Sequence, residues 1–252
     1  MLSLFKMDIY RLFHRKMLYV LIVALSAITL SMLILSDPSG MTFSGILGVL
    51  DGVSMENFMA AGSGLGLVYT LMSILLSFFV CDDFSSGFAK NIFTVHANKR
   101  DYIVSKILSM MAASGVLMLV SLVESVIFAV TSGIALGSIG GIIVFWIEKW
   151  ILSAAFAAAI LFISILFRNK GLGFLFACLL GTGGLVMGVA WAFEALHFPY
   201  ASEVLSWTIY GASTVPSMSL NFGNLLHILL AAVVWSVFYS ILSAVLLKKK
   251  DI

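Results

Sequence analysis

Charged residues are scarce in this chain. Only 10% of its 252 residues are Asp, Glu, Lys or Arg, while 62% are hydrophobic. Soluble globular domains usually carry about 25% charged residues, because a folded core must be covered by polar surface. The shortage excludes an ordinary cytosolic protein.

The sequence also lacks the residue patterns of common catalytic and metal sites. Its two cysteines, Cys81 and Cys178, lie in separate apolar runs and form neither a metal-binding spacing nor an expected disulfide pair. No G-x-x-x-x-G-K-[ST], Gly-x-Ser-x-Gly or His-x-x-x-His pattern is present. We therefore expect no catalytic residue, no metal site and no cofactor in this chain. If ATP drives the protein, the ATP and Mg must be bound by a separate ATPase.

Long apolar runs are what the chain has instead. A helix needs about 20 apolar residues to cross a bilayer, because each residue advances it by only about 1.5 Å. The sequence predicts a single all-α transmembrane domain over residues 1–252 with six spans, at about 17–35, 60–80, 107–132, 146–167, 172–193 and 225–247. The first run is too long for a cleaved signal peptide, so we expect it to remain as an anchor.

The basic residues predict how these spans are oriented. If the spans alternate in direction, residues 1–16, 81–106, 168–171 and 248–252 share one side and hold all 14 Lys and Arg residues except Lys149. Basic residues are retained on the cytoplasmic side during insertion, so we expect both termini in the cytoplasm. Glu148 and Lys149 lie between Trp146 and Trp150, a pattern typical of the headgroup interface, and we place them near the outer rim.

Two segments outside the spans have helical patterns of their own. In residues 2–15, apolar side chains recur at helical spacing beside basic ones, which favours an interfacial helix over a simple charged flank. Residues 194–224 contain apolar and aromatic patches, which predict short helices half-inserted from the outer face.

The longest cytoplasmic loop runs from Cys81 to Lys106. Asp82 or Asp83 is placed to cap a short helix, on one face of which Phe88, Ile92 and Phe93 would lie. Such a helix could dock its aromatic side chains into a partner's groove. The alternative is a connector whose aromatic rings dip into the lipid headgroups, and the residues themselves favour neither.

The loop resembles the cytoplasmic loop of type-2 ATP-binding-cassette (ABC) permeases. The resemblance is carried by an acidic pair, small residues with a glycine, Lys90-Asn91, an apolar turn, and Lys-Arg-x-Tyr-Ile-x-Ser-Lys over residues 99–106. In that family the loop forms a coupling helix that seats on the ATPase subunit. The resemblance implies that the residues coupling this chain to an ATPase are Asp83, Gly87, Phe88, Lys90, Asn91, Phe93, Lys99 and Arg100.

The wider layout is similar to the same family, with an amphipathic elbow helix at the amino terminus followed by six spans. The family works in pairs, which implies a homodimer of this chain with two copies of a separate ABC ATPase. The layout is closest to small bacterial permeases that export amphipathic peptides or give immunity to bacteriocins, such as phenol-soluble-modulin exporters. This resemblance implies a peptide-like cargo and a place in the bacterial cytoplasmic membrane, in contact with the lipid bilayer and with no nucleic-acid partner.

Three residues within the spans are candidates for function. Gly184 and Gly188 have the four-residue spacing that brings helix backbones together, either between two subunits or within one chain. The alternative is that the glycines of this span let the helix bend. Glu124 lies in the third span, where a carboxylate is costly unless it faces a cavity or finds a partner. It either lines a substrate path or makes a hydrogen bond between helices.

The leading hypothesis is thus the permease subunit of an ATP-driven ABC exporter. One alternative is a secondary transporter driven by an ion gradient, with Glu124 as the ion or proton site. Another is a structural or regulatory membrane protein that transports nothing.

Overall fold

The computed structural model of the chain describes residues 2–35, 67–95, 99–131, 138–217 and 221–249, and every regular element within these ranges is a helix. The predicted all-α class is confirmed. The helices in chain order are α1 (Leu2–Phe13), α2 (Lys16–Leu35), α3 (Leu67–Ser85), α4 (Phe88–Val95), α5 (Lys99–Thr131), α6 (Ile139–Phe167), α7 (Lys170–Gly181), α8 (Gly184–Ala195), α9 (Ala201–Ser206), α10 (Ile209–Ser213) and α11 (Phe222–Lys249).

Four of the described helices are individually long and apolar enough to cross a membrane: α3, α5, α6 and α11. Two further pairs pass the same test together but are bent, α1 with α2 by 58° and α7 with α8 by 60°. The described part of the chain therefore contains four to six candidate spans, a range that includes the six predicted.

Two helices differ in extent from the predicted spans. Helix α6 begins at Ile139 rather than near Trp146, because Ser138 caps it by accepting a hydrogen bond from the backbone N–H of Gly141 at 3.0 Å. The predicted fifth span is divided into α7 and α8, because Gly183 has a φ of 78° that ends the first helix. Residues 60–66 of the predicted second span lie outside the described residues.

Helix α6 lies at the centre of the bundle and packs against α3, α5 and α11. Residues 155–161 of this helix are all fully buried. On the α3 side, the ring of Tyr69 stacks on the ring of Phe156 with centroids 4.2 Å apart. Helix α6 contains the apolar run that predicted the fourth span, and other parts of the protein surround most of this helix.

Helix α7 packs closely on α3 through small residues. Gly173, Ala177 and Gly181 are buried and recur every four residues. A Cβ atom on Gly181 would lie 2.6 Å from the Cα of Thr70, and one on Gly173 would lie 1.8 Å from the hydroxyl of Ser77. Small residues at this spacing let two helix backbones approach each other inside a membrane protein.

Helix α1 packs on α5. Its buried face consists of Leu4, Asp8 and Leu12, which follow one another at four-residue spacing. Leu12 is one of the apolar side chains that recur at helical spacing in residues 2–15, together with Leu2, Phe5, Ile9 and Phe13, but that pattern did not predict a buried carboxylate at Asp8. This helix therefore carries a charged group into the protein interior.

Candidate functional site

The short helix α4 follows a tight turn at the end of α3. Gly87 adopts a φ of 73°, and its carbonyl accepts a hydrogen bond from the backbone N–H of Lys90 at 3.1 Å. Asp82 or Asp83 was predicted to cap this helix, but neither carboxylate does so. Both bind cationic side chains from other parts of the chain instead.

Asp83 belongs to a buried group of four charged residues that we call the ion-pair network: Asp8, Arg11, Asp83 and Lys106. The ammonium of Lys106 lies 2.7 Å from a carboxylate oxygen of Asp8 and 2.6 Å from one of Asp83. The guanidinium of Arg11 lies 2.7 Å from the other oxygen of Asp83. The network thus joins α1, α3 and α5 at one point.

The ion-pair network is balanced in charge, and its two carboxylates accept further hydrogen bonds from neighbouring hydroxyls. Two carboxylates face two cations, the side chains of Asp8, Asp83 and Lys106 are at most 1% exposed, and that of Arg11 is 24% exposed. The hydroxyl of Ser105 donates to Asp8 at 2.7 Å, and that of Tyr102 donates to Asp83 at 3.2 Å. Buried charges are tolerated when their partners are close and their remaining lone pairs are occupied.

The apolar face of α4 rests on this network. The ring of Phe88 lies 3.8 Å below the guanidinium of Arg11, a distance suited to a cation–π contact. The ring of Phe93 meets Tyr102 edge-on at 5.3 Å, and Ile92 is 6% exposed. The aromatic side chains predicted to enter a partner's groove are therefore turned towards the chain's own helices.

The opposite face of α4 is open. Lys90, Asn91 and Thr94 are exposed there, and Arg100 is exposed at the start of α5. Residues 96–98 lie outside the described residues. Of the residues predicted to couple to an ATPase, Lys90, Asn91 and Arg100 face outward, whereas Asp83 is buried.

A second set of polar contacts surrounds the network. Asp82 binds Arg15 at 2.7 Å and Lys170 at 2.5 Å, which connects the turn after α1 and the start of α7 to α3. The ammonium of Lys99 donates to the carbonyl of Leu247 in α11 at 2.6 Å. Next to α4, these contacts therefore connect α3 to α7 and α5 to α11.

Asp8, Arg11, Tyr102 and Lys106 were not predicted as site residues. Lys106 and Asp8 are 98 positions apart, and spacing along the sequence gives no information on such a pair. One signal was present, since Asp8 is the only acidic residue of α1 and lies one helical turn from both Leu4 and Leu12.

Glu124 is partly exposed and contacts α2. The hydroxyl of Thr29 donates a hydrogen bond to its carboxylate, which links α2 to α5. Of the two roles that the sequence left open, this contact favours the hydrogen bond between helices. A role in a substrate path stays a prediction.

Gly184 and Gly188 make no close contact with another described long helix. No atom lies within 4 Å of the position of a Cβ on Gly188, and the nearest to that on Gly184 is a methyl of Leu179 at 3.2 Å. Helix α8 has no buried residue among those described. Its glycine face is open, as a subunit contact requires.

Glu148 and Lys149 lie inside the protein rather than at an exposed headgroup interface, with only 1% and 5% of their surfaces exposed. The ammonium of Lys149 donates to the carbonyl of Ser213 at 2.6 Å, and the backbone N–H of Ser217 donates to Glu148 at 3.3 Å. The prediction differs because α6 begins at Ile139 and the segment around α10 covers the pair. Short helices were predicted in that segment, and α9 and α10 are found there.

Comparison with known proteins places this arrangement in a family. A family model described as "ABC-2 family transporter protein" matches residues 4–184, which include the ion-pair network and the whole of α4. No curated protein matches the chain. Because the model covers most of the chain, the protein belongs to the ABC-2 family of transporter proteins and is a multi-pass membrane permease that works with an ABC ATPase.

Proposed function

We propose that this chain is the membrane subunit of an ATP-driven exporter and that its ATPase docks on the open face of α4. The observation that carries the proposal is the seating of α4. Its apolar face is fixed on the ion-pair network, while Lys90, Asn91 and Thr94 remain available to a partner. A polar, exposed face on a rigidly held helix suits a protein partner better than lipid headgroups, which would attract the aromatic face.

The contacts of α4 provide a route for force into the membrane. Arg11 touches Phe88 of α4 and Asp83 of α3, and Asp83 touches Lys106 of α5. A push on α4 therefore moves the ends of α1, α3 and α5 together. Burial makes the pairs hard to separate, since an uncompensated charge in the interior costs several kcal/mol.

The assembly consists of two copies of this chain and two ATPase subunits in a bacterial cytoplasmic membrane, with both termini and α4 in the cytoplasm. The open glycine face of α8 supports the pairing of two permeases. An amphipathic peptide is the proposed cargo, in agreement with the layout of small peptide exporters.

The docking proposal is tested by reversing the charge on the open face. The chain is co-expressed with its ABC ATPase subunit as the wild type, as a Lys90→Glu/Thr94→Glu variant and as a Lys6→Glu control, which changes an exposed residue of α1. Co-purification and permease-dependent ATP hydrolysis are then measured in nanodiscs.

We expect the double variant to lose at least about tenfold in association, since repulsive charge across an interface costs several kcal/mol. The Lys6→Glu control keeps association and hydrolysis. Unchanged association of the double variant, with the same hydrolysis rate as the wild type, would show that the ATPase docks elsewhere.

A further inference from the structure

A small cavity lies between α3, α5 and α6, in the half of α6 nearer Ile139. Its volume is about 30 Å³, which is enough for about two atoms of the size of a water oxygen. Most of its wall is apolar, formed by residues such as Phe145, Leu122 and Met118. The polar lining includes Lys149, Trp146 and two serines of α5, Ser121 and Ser125.

Lys149 brings a buried positive charge to this cavity. Its ammonium has three N–H groups, but among the described residues it has a single hydrogen-bond acceptor, the carbonyl of Ser213 at 2.6 Å. The carboxylate of the neighbouring Glu148 binds the backbone N–H of Ser217 instead and forms no ion pair with Lys149. A charge so enclosed is costly unless another acceptor approaches it.

Trp146 adds a second donor. Its indole nitrogen is buried, and no described protein atom accepts a hydrogen bond from it. The neighbouring Trp150 is different, because its indole nitrogen donates to the carbonyl of Met111 at 2.8 Å. Buried donors are nearly always paired in folded proteins, so an unpaired one beside a cavity points to an acceptor that comes from outside the chain.

We propose that this cavity binds the carboxylate of an amphipathic molecule, with its oxygens held by the ammonium of Lys149 and the indole N–H of Trp146. Two donors, one of them charged, match the two oxygens of a carboxylate. The apolar walls select a carboxylate attached to an apolar chain, which leaves past the half-buried Trp146.

The proposal concerns binding, and it does not depend on transport. As a site for exported cargo, however, the cavity rests on the exporter function proposed above. The free carboxyl terminus of a hydrophobic peptide and a fatty acid offer the same chemistry, and the experiment distinguishes the two.

Binding is measured on the full chain without an ATPase, in maltoside micelles, by isothermal titration against empty micelles. Dodecanoate, dodecanol and dodecyltrimethylammonium share one apolar chain and differ in the head group. We expect dodecanoate to bind at least about tenfold more tightly than the other two, the effect of a hydrogen bond to a charged group. Equal affinities for all three would overturn the proposal.

Three variants locate the site. Lys149→Met and Trp146→Phe each remove a donor, and each is expected to weaken dodecanoate binding about tenfold. Trp150→Phe is the matched control, which lowers the melting temperature by removing the hydrogen bond from the indole to the Met111 carbonyl but keeps the affinity. If the Lys149→Met variant fails to fold, the dodecanoate affinity of the Trp146→Phe variant alone tests the assignment. Equal weakening by Trp146→Phe and Trp150→Phe would contradict the assignment.

Two peptides are compared to identify the source of the carboxylate. One is a hydrophobic peptide with a free carboxyl terminus, and the other is the same peptide with an amide at that terminus. If the peptide with the free carboxyl terminus competes with dodecanoate and the amidated peptide does not, the result supports the cavity as a cargo site. Competition by neither peptide leaves a fatty-acid site, which supports the binding proposal and removes its link to peptide export. ATP hydrolysis by the full complex is measured separately, so failure of the exporter proposal is recognised independently.

Discussion

Lys106 illustrates how a single side chain can hold several helices together. Its ammonium is fully buried and bridges Asp8 of α1 and Asp83 of α3, and it lies 3.8 Å from the ring of Phe79. From the sequence, Lys106 was predicted to be one of the basic residues of a cytoplasmic loop. Its position inside the protein follows from the carboxylates that surround it, because an ammonium is buried only where its charge is compensated.

Lys106→Met is therefore expected to destabilise the protein by about 3–5 kcal/mol, because it leaves Asp8 without its closest cation in the interior. The matched control is Lys170→Met, which removes an ion pair to Asp82 from a side chain that is 48% exposed. Exposed pairs contribute only about 0–1 kcal/mol. Thermal unfolding in detergent, followed by circular dichroism, measures both.

Restoring the charge balance provides a second check on Lys106. If the loss arises from the unpaired carboxylate, adding Asp8→Asn to Lys106→Met recovers part of the lost stability. A double variant as unstable as the sum of the two single variants would show that the residues act independently.

At the scale of helices, apolar runs predicted the existence of most elements but not their contacts. The six runs and the amphipathic start overlap helices α1 to α3, α5 to α8 and α11, since span length follows directly from hydropathy. The glycines of the fifth span left a bend open as one alternative, but the place of the break was not predicted, because Gly183 lies within a continuous apolar run and its positive φ becomes evident only in three dimensions.

The orientation of α4 could not be predicted from the sequence either. Phe88, Ile92 and Phe93 share a face at helical spacing, and that pattern fits a docking face and a buried face equally well. This face of α4 is buried because Phe88 packs against Arg11 and Phe93 packs against Tyr102. These residues belong to helices distant in the sequence, so no local pattern could reveal their contact.

The contact between α7 and α3 yields a prediction at the same scale. Gly181→Leu places a Cβ 2.6 Å from the backbone of Thr70, which cannot move aside. The helices must separate, and we expect a loss of roughly 1–3 kcal/mol with a lower melting temperature. Gly140→Leu is the matched control, because nothing in the described structure lies within 4 Å of its Cβ. Equal melting temperatures for the two variants would contradict the packing assigned to Gly181.

At the scale of the whole molecule, the two ends of the bundle are built differently. The end that carries α4 concentrates ion pairs linking α1, α3, α5 and α7, which suits a part that must transmit force without coming apart. Helix α8 carries no buried residue among those described. A helix with no residue buried against the described part of the chain has a surface left open to lipid or to a second copy.

We expect a second copy, and Gly188→Leu tests this at the level of the assembly. A leucine there leaves the fold of one chain intact but fills the open glycine face that Gly184 and Gly188 form on α8. Ala190→Leu adds a similar side chain on the opposite side of the helix, since two residues turn it by about 200°. Mass photometry in nanodiscs should find wild type and Ala190→Leu as dimers and Gly188→Leu mainly as single chains, because close approach of two backbones requires small residues. A dimer that survives Gly188→Leu while Ala190→Leu separates it would place the contact on the other face of α8, and survival of both would move the contact to another helix, such as the exposed face of α11.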